Sequence, residues 1–107
     1  MEEVTSIAFQ IISIAGEAKG IAYDALEAAK EKDFDKAKAL LDESQKKLNE
    51  AHTIQFQLLS NEASGAENLK INFIMAHAQD HLMTTMTAIE WITENIELRE
   101  EFYSCTK

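Results

Sequence analysis

Not one of the 107 residues is proline, and only Gly16, Gly20 and Gly65 are glycine. A β protein of this length turns about every 8–12 residues and leans on those two residue types to do so. A chain nearly without them is left with long helices, so the expected class is all-α. Two polar breaks divide it. Lys30-Glu31-Lys32-Asp33 is the first, with Asp33 placed to cap a second helix. Ser60 to Gly65 is the second, and Ser64 followed three residues later by Glu67 has the spacing of a capping box for a third. The reading is one domain, residues 1–107, of three long antiparallel helices at about 4–30, 33–60 and 66–103, each spanning roughly 40–55 Å.

The apolar spacing on those helices adds packing to the count. Helix 1 carries one 4-3 series at Val4, Ala8, Ile11, Ala15, Ala18, Ala22, Ala25 and Ala29, and a second at Ile7, Ile11, Ile14, Ala18, Ile21, Ala25 and Ala28. One seam satisfies a three-helix bundle, so two alanine-rich seams imply more helices than one subunit supplies. Helix 2 reads Phe34, Ala37, Leu41, Ser44, Leu48, Ala51, Gln55, Leu58, with Ser44 and Gln55 as polar layers. On helix 3 the series Ile71, Met75, Ala78, Leu82, Thr85, Ile89, Ile92, Ile96 is assigned to the subunit core. A second series, Phe73, Ala76, Asp80, Met83, Thr87, places a carboxylate at a seam position. Buried, Asp80 must be protonated, paired or bound to a cation; at a seam edge it is an ordinary exposed acid.

Charge narrows the partners. Ten Lys and Arg against 19 Asp and Glu leave a formal charge of −9, which argues against nucleic acid and anionic lipid and favours a basic docking surface. No apolar run reaches transmembrane length, and Met1-Glu2-Glu3 carries acid where a signal peptide carries base. With the single Cys105 unpartnered, the expected location is the cytoplasm.

Chemistry should lie in His77-Ala78-Gln79-Asp80-His81-Leu82-Met83-Thr84. Positions 77 and 81 stack one turn apart on a helix, with Asp80 flanking both. Imidazoles at i and i+4 suit Zn²⁺, but an isolated pair is more often packing or surface. The metalloprotease motif is excluded, since Ala78 stands where it needs Glu. Phosphoryl transfer asks less: His77 as nucleophile, His81 as a hydrogen-bond donor to the arriving oxygens, and Gln79 on another side of the helix without a role. The chain has no Walker-type loop or kinase signature, so its phosphoryl group comes from another protein. His52 reads as structural, and Cys105 has no setting for a reactive thiolate. Trp91, Phe102 and Tyr103 fit helix packing, and the methionines, Met83 and Met86 among them, fit gap-filling in a core.

At these residues the chain resembles the lactose/cellobiose (also N,N′-diacetylchitobiose) class of enzyme IIA of the phosphoenolpyruvate-dependent sugar phosphotransferase system. Ala15-Gly16-Glu17-Ala18-Lys19 is similar to the family's AGDAR-type segment. Glu50-Ala51-His52 with Gln55, and Glu62-Ala63-Ser64-Gly65, resemble its helix 2 and loop. His77 to Thr84 is similar to its active-site helix, and Ala78 resembles the cellobiose and chitobiose members more than lactose members with Gly there.

The resemblance implies a phosphocarrier, assembled as a parallel homotrimer of nine helices. His77 would accept a phosphoryl group from phospho-HPr at Nε2 and pass it to a cysteine of the cognate IIB, which phosphorylates a β-linked disaccharide entering through membrane component IIC. Asp80 would sit at the trimer interface around one structural divalent cation per trimer; oxygen ligands favour Mg²⁺, taken first, or Ca²⁺, and the imidazoles nearby leave Zn²⁺ open. Two other classes stand beside this reading. A histidine phosphotransfer domain of a two-component relay is also a helical bundle with one exposed histidine, but the Lys-Gly that follows that histidine is missing here. A metal-stapled helical interaction protein would need no phosphohistidine.

Overall fold

The computed structural model describes residues 2–63 and 73–106. They form three helices, α1 (Glu2–Lys30), α2 (Phe34–Ala63) and α3 (Phe73–Thr106), and no strand occurs among the described residues. α2 and α3 each run three residues past their expected ends. The expected Ser64–Glu67 capping box and the start of helix 3 at residue 66 lie outside the described residues.

The turn between α1 and α2 is set by backbone bonding. Lys32 takes a left-handed φ of 65°, its N–H donates to the Ala29 carbonyl at 2.9 Å, and the Asp33 N–H donates to the Ala28 carbonyl at 2.9 Å. This is the paired pattern that closes a helix end and satisfies its last carbonyls. A lysine here bears a cost of about 1 kcal/mol that glycine would avoid. Asp33 then starts α2 as expected, its carboxylate accepting from the Lys36 N–H at 3.2 Å.

Cross-helix contacts give the directions. Ser44 Oγ donates to the Ala18 carbonyl at 2.7 Å, and Lys47 Nζ lies 3.6 Å from Glu17, so α2 descends as α1 rises. Lys38 Nζ meets Glu100 at 2.9 Å, while Gln55 hydrogen-bonds Gln79, so α3 is antiparallel to α2 and parallel to α1. The Glu100 hydrogen bond and charge hold the Lys38 ammonium above the ordinary lysine range, as the charges of Glu17 and then Glu50 do for Lys47. These ion pairs lie partly or wholly in solvent, so they fix register more than they add stability.

Every member of the first α1 series, from Val4 to Ala29, is buried. Ile7 and Ile14, of the second, pack half-buried against the same core. α1 lies against both other helices, which touch each other less. Within one chain α2 and α3 cover the first seam, while Ile7, Ile14 and Ile21 of the second stay half-buried, consistent with further helices packing beside them. Alanine at 8, 15, 18, 22 and 25 is what lets two helices approach α1 closely at once. The α3 core series holds at each described position: Met75, Ala78, Leu82, Thr85, Ile89, Ile92 and Ile96 are buried. Ser44 and Gln55 are the polar layers of α2, both hydrogen-bonded.

The opposite face of α3 carries the surprise. Phe73, Met83, Trp91, Leu98 and Phe102 are exposed, Phe73 by 95% and Trp91 by 71%. With Ala76, Asp80, Thr87 and Glu94 they follow one another at steps of three and four, so they share a stripe along the helix. Trp91 and Phe102, expected to fit helix packing, do not pack inside the three helices of one chain. The expected core place of Met83 is corrected, since it is exposed, whereas Met86 does pack against the core and Tyr103 packs on Phe34 at 5.8 Å between ring centroids.

Thr85 Oγ1 is the one fully buried side-chain polar atom without a hydrogen bond among the described residues. Thr85→Val keeps the shape and removes the stranded hydroxyl, so it should stabilise the fold by about 1 kcal/mol, read as a higher denaturation midpoint at unchanged slope. A lower midpoint would mean that the hydroxyl has a partner.

Candidate active site

His77 and His81 stand on α3 because Ala78, Leu82 and Thr85, all at most 1% exposed, lock the other side of that helix into the core. The imidazoles lie edge to face, with ring centroids 4.7 Å apart and an interplanar angle of 87°. His77 is exposed and His81 half-buried. The edge-to-face contact with the His81 ring limits the orientations His77 can adopt. An accessible imidazole beside a held one is the arrangement expected of a nucleophile and its assisting donor. Both residues stand where the one-turn spacing predicted.

Asp80 is exposed, on the outer stripe between Ala76 and Met83. Of the two readings, the single chain shows it facing solvent. Thr84 Oγ1 donates to the Asp80 carbonyl at 2.8 Å, and Thr87 Oγ1 to the Met83 carbonyl at 3.2 Å. These hydroxyls are spent on their own helix, so the surface around Asp80 is less polar than its residue types imply. Among the described residues no group of three or more His, Cys, Asp and Glu side chains is placed to hold a metal ion. His77, Asp80 and His81 are therefore not a metal site within one chain.

Gln79 has a role that helical spacing did not reveal. It is half-buried and its side-chain oxygen accepts from Gln55 Nε2, joining α2 to α3 at the level of the imidazoles. Two residues on from His77, it points about 200° away, so it braces the helix from the side opposite the reactive ring. The signal was present in Gln55, a polar residue at an α2 seam position that required a partner. His52 is half-buried on α2, three residues before Gln55, and Cys105 is an exposed free thiol.

Residues 6–100 match the family model described as the lactose/cellobiose-specific IIA subunit of the PTS system. Over 100 residues the chain is 46% identical to the N,N′-diacetylchitobiose-specific EIIA component of Escherichia coli (strain K12), spanning 94% of this chain and 85% of that protein. It is 49% identical over 89 residues to the lactose-specific EIIA component of Lacticaseibacillus casei, spanning 83% of this chain and 79% of that one. In the solution structure of the IIA(Chitobiose)–HPr complex of the Escherichia coli phosphotransferase system, the similar chain superposes with a TM-score of 0.82 at 43% identity, covering 96% of this chain and 99% of that one. The three-helix fold and this near full-length likeness agree: the chain belongs to the lactose/cellobiose-specific IIA subunits of the PTS system.

Proposed function

We propose that this IIA subunit takes its phosphoryl group from phospho-HPr on His77 Nε2 and hands it to a cysteine of a cognate IIB during uptake of a β-linked disaccharide through IIC. The observation that carries the reading is the exposed His77 ring set edge to face with His81 on a helix anchored in the core. The Nε2 lone pair attacks phosphorus, the bond from phosphorus to its donor atom breaks, and the phosphoimidazole is later opened by a thiolate in the same manner. The solved complex of a similar IIA with HPr supports the donor. The cytoplasm is proposed as the site of this exchange; separately, no described helix is long and apolar enough to cross a membrane. Incubation with phosphoenolpyruvate, enzyme I and HPr should add one phosphoryl group by intact mass, labile in acid and stable in alkali. Phosphorylation by a response-regulator aspartate and not by phospho-HPr would favour the two-component relay instead.

The working form is proposed to be a parallel homotrimer. Its support is the α3 stripe on the face opposite the core, where exposed Phe73, Met83, Trp91, Leu98 and Phe102 outnumber the charged Asp80 and Glu94. Asp80 lies within that stripe, so a three-fold axis along it gathers one carboxylate from each chain. Three carboxylates fit a hard divalent cation, Mg²⁺ by preference, whose part is to offset their repulsion.

His81 is assigned to hold the incoming phosphoryl oxygens without itself being phosphorylated. His81→Ala should retain slow phosphorylation and lose about 10- to 1,000-fold in rate, the range for one positioned donor, as followed by intact mass over time. Unchanged rates in both the HPr and IIB steps would remove it from the site.

A further inference from the structure

Phe56 on α2 is 71% exposed, although it lies outside the α3 stripe. It stands at the height of the reactive turn, since its chain neighbour Gln55 hydrogen-bonds Gln79, two residues on from His77. It also lies on the edge of α2 that borders α3. Lys38, which meets Glu100 on α3, precedes Phe56 by 18 residues, five whole turns at about 3.6 residues each, so the two leave α2 in the same direction.

Phe56 is nevertheless placed away from the imidazole of its own chain. With Asp80 as the middle of the stripe, a rotation of about 100° per residue puts His77 roughly 60° to one side and Gln79 roughly 100° to the other. α2 stands on the Gln79 side, held there by the Gln55 and Lys38 contacts. Each chain therefore carries its phosphoryl acceptor on one flank of the stripe and Phe56 beyond the other. A three-fold axis along the stripe joins those flanks. Rotation about the axis turns every chain the same way and shifts none along it, so the His77 flank of one chain meets the α2 flank of the next at equal height.

We propose that Phe56 of a neighbouring copy covers the His77 imidazole in the trimer and keeps water from its phosphorylated form. The inference rests on the homotrimer and phosphocarrier readings above. Hydrolysis of a phosphoimidazole needs a water oxygen in line behind phosphorus. As that oxygen bonds, the bond from phosphorus to Nε2 breaks, one proton of the water goes to the ring and hydrogen phosphate leaves. An aromatic ring across the line of approach excludes the water. It gives the phosphoryl oxygens no hydrogen bond, so it does not hold the group back from a docking protein.

The lifetime of the phosphorylated protein at neutral pH, followed by intact mass once the donor proteins are removed, tests this, with sedimentation measured on the same preparations. Phe56→Ser should remain a trimer and lose its phosphate about 3- to 10-fold faster than the wild type, whereas Phe56→Leu, which keeps an apolar cover, should stay within about 2-fold. Co-expression of Phe56→Ser with an excess of His77→Ala shows which copy supplies the ring, because the His77→Ala chains carry no phosphate but still present Phe56 to their neighbours. The lifetime on the Phe56→Ser chains should then return toward that of the wild type. If it stays short, the ring acts within its own chain and the proposal is overturned. A Phe56→Ser trimer that keeps its phosphate as long as the wild type overturns it too, and leaves the homotrimer standing. Slower acceptance from phospho-HPr with an unmoved lifetime would assign Phe56 to docking of the donor, and loss of the trimer on Phe56→Ser would assign it to assembly; either result overturns the proposal. A wild type that sediments as a monomer, or takes up no phosphate, overturns it together with the reading it rests on.

Discussion

His77→Ala is expected to gain no phosphoryl group from phospho-HPr, a loss of about 10⁴-fold or more in transfer rate. The size follows from what remains. Among the described side chains the neighbouring candidate is His81, and it is half-buried with its ring set edge to face against His77. Removing the His77 ring uncovers His81 without turning it outward, because Ala78 and Leu82 still hold the helix rotation. The substitution is structurally mild: His77 is exposed, alanine favours helix, and stability should move by no more than about 0.5 kcal/mol. Circular dichroism and the denaturation midpoint verify that the fold survives, so that intact mass reads chemistry alone. A variant that keeps its midpoint and still gains one acid-labile phosphate at the wild-type rate would move the acceptor away from residue 77.

How far the sequence could be read depended on whether a residue's environment is local or shared between surfaces. The core series of α3 was legible from Met75 to Ile96 because helical period alone assigns one face to burial. The His77/His81 pair was legible for the same reason, one turn being a local distance. Alanine spacing on α1 located the seams without their partners, since two adjoining seams look the same whether filled by α2 and α3 or by a second subunit. The periodicity counts neighbours without saying whose they are. Trp91 and Phe102 were read as fitting helix packing without a face being named, although their steps of three and four from Asp80 put them on its stripe. Gln79 was missed because its partner, Gln55, is 24 residues away on another helix.

Replacing Asp80 by leucine should turn a cation-dependent trimer into a cation-independent one. On the single chain the carboxylate is exposed, and its neighbours on the stripe are Ala76, Met83 and Thr87, the last with its hydroxyl turned back to the Met83 carbonyl. Covering such a surface with two further copies removes water from three like charges. Carboxylates brought to within about 5 Å repel by roughly 3 kcal/mol per pair at an effective dielectric constant near 20. A bound divalent cation or shared protons must then offset that repulsion. EDTA at neutral pH should accordingly shift the wild type from trimer toward monomer in sedimentation equilibrium, and Mg²⁺ should reverse the shift. Leucine removes the repulsion and adds about 2 kcal/mol of apolar burial per subunit, so Asp80→Leu should stay trimeric with EDTA present. Residue 80 is three positions from His77 but points along the outer stripe, so the variant should still accept phosphate. Wild-type monomers at micromolar protein with Mg²⁺ present would refute the stripe as an interface. An Asp80→Leu trimer weaker than the chelated wild type would instead keep the interface and show that the carboxylates are not its repulsive centre, because only a side chain making favourable contacts loses stability when leucine takes its place.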